Sequence, residues 1–203
     1  MKKFGLVVIG AHFGVWLNDE LSRFDKENIL LVEPVPYNYK KLKERFINSN
    51  NIQICTNAIF SENKISKFYY VNEKSISKLG KHWASGIGSF NKNHILDHRT
   101  KRFKIQDDDI DEIEIEFITF DGLIEKFKIE SIDKLQMDVE GAEYEILKSI
   151  DFKKIDINSI KFESKHFDGT FKEGKKLEEI KDKLISEGYN LNQIDKENIL
   201  AFK

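Results

Sequence analysis

The chain has 203 residues, a single cysteine (Cys55) and 33 Lys+Arg against 35 Asp+Glu, a formal charge of −2 at pH 7. That length fits one domain, residues 1–203, whose core stands without staples, and one cysteine excludes a disulfide framework or a cysteine-rich zinc site. The near-neutral balance argues against general nucleic-acid binding, which favours strongly basic domains. No apolar run approaches the ~20 residues of a membrane span, and the first one is too short for a signal peptide, so a cytoplasmic chain is expected.

Short apolar runs alternate with helical patterns, as in an α/β protein with a mainly parallel sheet. Leu6-Val7-Val8-Ile9 is a continuous β-branched run, which suits a strand buried on both faces. It ends in Gly10-Ala11-His12-Phe13-Gly14, and Leu17, Leu21 and Phe24 then recur at helical spacing. Residues 29–32 predict the second strand, closed by Glu33-Pro34, and a helix follows Pro36 with Tyr39, Leu42 and Phe46 on one face. Residues 52–58 predict a third strand.

Residues 61–131 are less regular. Phe68-Tyr69-Tyr70-Val71 and the alternating Ile113-Glu114-Ile115-Glu116-Phe117 read as strands. Between them lie the small-residue stretch 83–90 and a polar, His-containing segment, together a candidate substrate or lid loop. Asp107-Asp108-Asp109 reads as a solvated turn.

Order resumes with a strand over 134–137 that enters Asp138-Val139-Glu140-Gly141. A helix carrying Ala142, Ile146 and Leu147 follows, then a strand over 157–162 ending at Glu163. Leu177, Ile180 and Leu184 mark a last helix closed by Gly188. The tail reads as a hairpin around Asp195-Lys196-Glu197.

Chemistry concentrates at the strand ends. In Gly10-Ala11-His12-Phe13-Gly14, Gly10 suits a tight strand-to-helix turn and Gly14 a close approach of backbone to ligand. Taken alone, the motif fits a structural turn equally well. Glu33 ends the next strand, where a carboxylate accepts hydrogen bonds from ribose hydroxyls. Together they point to an adenosine-bearing cofactor at the switch point of a doubly wound sheet. There is no G-x-G-x-x-G phosphate cradle and no Walker motif, which favours S-adenosylmethionine over a nucleotide. Asn57, after the third strand, is placed to meet the adenine.

These residues resemble a known family. Val8-Ile9-Gly10-Ala11-His12-Phe13-Gly14, Val32-Glu33-Pro34-Val35-Pro36 and above all residues 134–143, with the run Asp138-Val139-Glu140-Gly141-Ala142-Glu143, are similar to FkbM-type S-adenosylmethionine-dependent methyltransferases. Ala84-Ser85-Gly86-Ile87-Gly88-Ser89 and Ile160-Lys161-Phe162-Glu163 are similar to further segments of that family. Two positions depart from it: Val8 stands where the family usually has an acid, and His12 where it has Asn.

The resemblance implies a Rossmann-like class I methyltransferase: a mainly parallel seven-stranded sheet with a C-terminal antiparallel hairpin and an insertion before the fourth main strand. It also implies methyl transfer, usually to an oxygen of a sugar, glycan or small metabolite. Expected cofactor contacts are Gly10, Ala11, His12, Gly14, Glu33, Asn57, Ser85 and Asp138, with His12 donating to the cofactor carboxylate.

Expected catalytic groups are Asp138, Glu163 and His166, which would contact the acceptor and take its proton. Asp138 also suits a helix N-cap, and Glu140 and Glu143 suit a first helical turn. Ser85, Gly86 and Ser89 make a candidate closing loop. His82, Trp83, His94 and His98 are candidate pocket residues that read equally as surface loop. Arg99, Lys101, Arg102 and Lys104 form a basic run that would meet an anionic acceptor or simply be solvated. Cys55 reads as core packing, not a nucleophile. Asp138 and Glu163 offer only two donors to Mg²⁺, so no metal is expected. The rival functions are a non-catalytic binding module on the same fold and an NAD-dependent reductase.

Overall fold

The computed structural model describes residues 1–101 and 103–203. Strands β1 (Lys2–Ile9) and β2 (Asn28–Val32) form from the first two apolar runs, and β3 (Ile52–Cys55) pairs beside β2. β8 (Ile129–Met137) and β9 (Asp156–Glu163) lie on the other side of β1. The hairpin β10 (Asn190–Gln193) and β11 (Asn198–Phe202) closes that edge. The seven-stranded order is β10-β11-β9-β8-β1-β2-β3, and only β11 runs against the rest. The chain starts at the centre, leaves toward β3 and returns on the far side of β1. This is the expected class I methyltransferase arrangement, with its switch point between β1 and β8.

Alternation along β1 serves two layers. Leu6 and Val8 pack with Leu31, Leu17 and Leu42, under α1 (Asn18–Arg23) and α2 (Pro36–Arg45). Val7 and Ile9 face the larger core beneath α6 (Glu143–Ser149) and α7 (Lys175–Ser186), which contribute Ile146, Leu147, Leu177, Ile180 and Leu184. Val8, at the family's usual acidic position, is fully buried in the first of these cores. Gly188 ends α7 with φ 88°, as its spacing predicts. No helix among the described residues is long and apolar enough to cross a membrane.

The third predicted strand, residues 52–58, is two. After β3 the chain leaves the sheet, and β4 (Ala58–Ile59) joins a second, four-stranded sheet of order β4-β7-β5-β6. Its main strands are the two predicted in the irregular region, longer than their patterns: β5 (Lys64–Val71) and β7 (Ile110–Ile118), antiparallel with Phe68 opposite Ile113. β6 (Gly88–Ser89) edges it.

The intervening segment is folded rather than loose. It contains α3 (Glu73–Leu79) and α4 (Lys92–Asp97), and Val71, Leu79, Ala84, Ile87, Ile95 and Phe103 share a small core. A further helix, α5 (Phe120–Phe127), links β7 to β8. All three are of eight residues or fewer, and unlike the equally short α1 and α6 none follows a strand of the main sheet, whose apolar run marks where the next helix begins. The Asp107–Asp109 turn departs from a solvated one at Asp109, which is buried, accepts from Ser75 Oγ at 2.6 Å and pairs with Lys78 Nζ at 2.7 Å.

Candidate active site

The register places the chemistry on one edge. Ile9 lies beside Val32 and beside Met137, and Met137 beside Phe162. The next residues, Gly10, Glu33, Asp138 and Glu163, therefore stand side by side along the carboxyl ends of β2, β1, β8 and β9, where a doubly wound sheet binds its ligand. Gly10 is required there: its φ is 88°, and a Cβ would sit 1.9 Å from the carbonyl oxygen of Asp138. Two of the expected contacts are engaged in packing. Gly14 (φ 77°) makes room for Leu42 of α2 and for Phe46 just after it, and Ala11 is buried in the core.

Glu33 is buried and holds the turn together. Its Oε2 accepts from the backbone N–H of His12 at 2.7 Å and its Oε1 from that of Val35 at 2.9 Å. Burial nevertheless pushes its carboxyl up to about 7.

His12 adopts the left-handed conformation (φ 54°), which Asn and His tolerate better than most residues. Its Nε2 lies 2.8 Å from Ser85 Oγ, and that hydroxyl donates to the carbonyl of His82. The ring proton therefore sits on Nε2, leaving Nδ1 an acceptor. Burial, with Lys41 and His82 nearby, lowers the imidazole to about 4. A neutral ring in this tautomer does not make the donation to a cofactor carboxylate expected from its position.

Ser85 is equally committed. Its carbonyl accepts from Asn38 Nδ2 at 2.7 Å, and Tyr37 bonds to it and to the carbonyl of Val71. The stretch 82–86 is a 3₁₀ turn pinned to α2 and to the glycine turn, with Trp83 against Phe103, and not a free closing loop. Asn57 reaches the cleft wall, but its amide is taken up by Glu116 Oε2 and Lys126 Nζ, each at 2.7 Å. The hydrogen bond to an adenine expected of this amide is therefore already taken up within the chain.

An apolar slot of about 520 Å³, its open mouth included, runs between Val35 on one side and Ile59, Phe68 and Phe117 of the second sheet on the other. A polar cleft of about 1700 Å³, also open to solvent, adjoins it and is lined by His12, Trp83, His98, Glu140, Glu163 and Lys165. Gly10, Glu33 and Asp138 border both. The Asp138 carboxylate is accessible from the cleft; the enclosing walls and the Glu140 charge push it up to about 6. Glu163 is held up by burial and by Asp138, Glu140 and Glu143, against an ion pair with Lys165 at 2.6 Å.

Glu143 is the first residue of α6, as predicted, but it does more than complement the helix dipole: its two oxygens accept from the backbone N–H groups of Val139 and Gly141. Glu140 lies before that helix, not in its first turn, in the left-handed region (φ 54°).

The histidines are where sequence and structure differ most. His94, His98 and His166 are buried, not surface-loop residues, and their Nε2 atoms lie 3.7, 3.4 and 3.3 Å from Glu140 Oε2. His166 does not line the cleft; its Nδ1 accepts from the N–H of Phe171, and burial lowers it to about 3. It is therefore not placed to deprotonate an acceptor. Sequence reasoning missed Glu140 as the centre of this group, although His94 and His98 are four residues apart, the spacing that puts two side chains on one helical face. Arg99, Lys101 and Lys104 are exposed, and Arg102 lies outside the described residues.

No curated protein matches the chain. Among solved structures it is similar to the Geobacter metallireducens precorrin-6y C5,15-methyltransferase, with 10% identity over 100% of this chain and 82% of that one, TM-score 0.48. It is also similar to Aeropyrum pernix fibrillarin with bound S-adenosyl-L-methionine, with 10% identity over 98% and 66% of the two chains, TM-score 0.48. The Methanococcus jannaschii fibrillarin pre-rRNA processing protein gives 13% identity over 99% and 66%, TM-score 0.48. In sequence, the model of the methyltransferase FkbM domain matches residues 9–191, from the last residue of β1 into β10, taking in the glycine turn, Glu33, Asp138 and Glu163. The chain belongs to the FkbM methyltransferase family.

Proposed function

We propose that the chain transfers a methyl group from S-adenosylmethionine to a hydroxyl of a sugar, glycan or other small cytoplasmic acceptor. The observation that carries this reading is the shared edge of Gly10, Glu33 and Asp138, with an apolar slot on one side and a polar cleft on the other. The residues present fit the cofactor. The slot between Val35 and Phe68 suits an adenine ring, and Glu33, with about four acceptor positions on its carboxylate, can serve ribose hydroxyls while keeping its two backbone bonds. When bound, S-adenosylmethionine supplies an electrophilic methyl on a sulfonium.

The chain's own residues do the rest. The cleft walls hold the acceptor in line and exclude water. Asp138, with a carboxyl near 6 and facing the cleft, is ionised at neutral pH and accepts the acceptor's proton. Lys165, fixed by Glu163, carries positive charge at the far wall. Acceptance by oxygen is supported by these carboxylates and by the family resemblance.

Calorimetry with S-adenosylhomocysteine, together with a mass-spectrometric screen of sugars and nucleotide sugars using labelled cofactor, tests this function. Binding and a product heavier by one CH₂ are expected. Binding without transfer to any acceptor would favour a non-catalytic module, and no binding heat at millimolar ligand would end the reading altogether. Glu33→Ala should weaken cofactor binding by about 1–3 kcal/mol through loss of a charged acceptor. Unchanged affinity in that variant would mean the adenosine site lies elsewhere.

A further inference from the structure

The cluster around Glu140 is not used by the methyl-transfer reading. It joins three parts of the chain: His94 and the adjoining His98 at the end of α4, Glu140 in the loop after β8, and His166 after β9. Their potential ligand atoms all lie within 4.8 Å of one another. His94 Nε2, His166 Nε2 and Glu140 Oε2 are buried with no hydrogen-bond partner among the described residues, an arrangement that carries a large desolvation cost unless something fills it. Gly141 lets the loop turn beside His94: its φ is 100°, a conformation that a side chain would strain.

The tautomers are set by the outer nitrogens. His98 Nδ1 lies 2.9 Å from the carbonyl of His94 and so carries the proton. His94 Nδ1 lies 3.0 Å from Thr170 Oγ1, which can accept its proton. Both Nε2 atoms then present lone pairs toward the Glu140 carboxylate, and the ring proton these assignments leave beside it is that on His166 Nε2, 3.3 Å from Glu140 Oε2. Outer hydrogen bonds that turn imidazole Nε2 lone pairs inward are what metal-ligating histidines require.

We propose that His94 Nε2, His98 Nε2 and the Glu140 carboxylate bind a divalent transition-metal ion of the zinc class. Two imidazoles and one carboxylate form a donor set suited to Zn²⁺ or Fe²⁺ and leave a position open; an all-oxygen preference disfavours Mg²⁺ and Ca²⁺. His166 completes a fourth position only by moving its proton to Nδ1, which gives up the bond from the Phe171 N–H. The three-ligand set stands without it. His98 and Glu140 also line the polar cleft, so the ion would sit in its wall, within reach of an acceptor oxygen; that last consequence alone rests on the methyltransferase reading.

The test uses the full chain, purified without a polyhistidine tag, stripped with chelator and titrated with Zn²⁺, with Co²⁺ absorption as a second probe. One ion per chain and visible Co²⁺ bands are expected, with no competition from excess Mg²⁺. Loss of an outer-shell partner commonly costs about 10–100-fold in metal affinity, so Thr170→Ala should fall in that range and His98→Ala or Glu140→Gln should lose ~100-fold or more. Circular dichroism and S-adenosylhomocysteine binding check that each variant is folded; a variant that fails to fold leaves Thr170→Ala and the stripped and reloaded wild type to decide. Retained cofactor binding without Zn²⁺ uptake overturns the metal site and spares the methyltransferase reading. Substoichiometric Zn²⁺, or wild-type affinity in His98→Ala and Glu140→Gln, overturns the proposal.

Discussion

At Glu33, burial and hydrogen bonding act in opposite directions. Two backbone donors favour the charged carboxylate, yet its removal from water pushes the carboxyl from 4.5 up to about 7. A carboxyl raised on folding makes the native state hold its proton longer, so its contribution to stability is lost as pH rises from about 4.5 through about 7. The neutral amide of a Glu33→Gln variant has no proton to lose in this range. Between pH 5 and pH 8 the stability of Glu33→Gln relative to wild type should therefore rise by about 3 kcal/mol. Urea unfolding of both proteins at the two pH values checks it; parallel pH profiles would show that Glu33 is not titrating in this range. The importance of Glu33 is visible in its place at a strand end, but its two bonds are not, because they depend on the left-handed turn at His12 folding back across β2.

Between elements, the contacts that position the site are often single polar side chains. Lys183 on α7 donates from Nζ to the carbonyls of Leu147, Lys148 and Ile150 at 3.0, 2.8 and 2.7 Å, closing the C-terminal end of α6. Burial lowers the pKa of this ammonium, and its charge complements the helix end. Lys183→Met keeps the stem and removes the donors; a loss of about 1–2 kcal/mol is expected from chemical denaturation. A stability equal to wild type would mean that water replaces the cap. The same kind of tie fixes residues 82–86 through Tyr37 and Asn38. Sequence pattern identified the helices that follow the buried strands of the main sheet, α1, α2, α6 and α7, because an apolar run marks where each begins. α3, α4 and α5 escaped it, and with α4 went the recognition that His94 and His98 share a face.

Across the whole molecule, the slot proposed for the cofactor is a joint between two sheets: Glu33, Gly10 and Asp138 stand at the edge of the main sheet, and Phe68, Phe117 and Ser89 come from the second. A ligand held by both should stabilise the fold as one unit. S-adenosylhomocysteine at 100 times its Kd adds about 2.7 kcal/mol by mass action, so the Tm of a domain this size should rise by roughly 5–10 °C. A melting scan over ligand concentration measures this, and an unchanged Tm at saturation would argue that the slot binds something else.

The mainly parallel sheet, the glycine turn and the carboxylates at the strand ends are all legible in the amino-acid sequence. These are local signals: buried strands read as continuous apolar runs, and the glycine or carboxylate next in the chain marks where each run stops. Which polar atoms are already occupied follows from the packed fold. It committed Asn57 to Glu116 and Lys126, His12 to Ser85, and His166 to the interior. It also drew β5, β6 and β7 of the irregular region into a second sheet that walls the apolar slot. Above all it gathered His94, His98 and Glu140 from segments up to 46 residues apart, because side-chain chemistry of this kind depends on distances across the fold that no sequence period encodes.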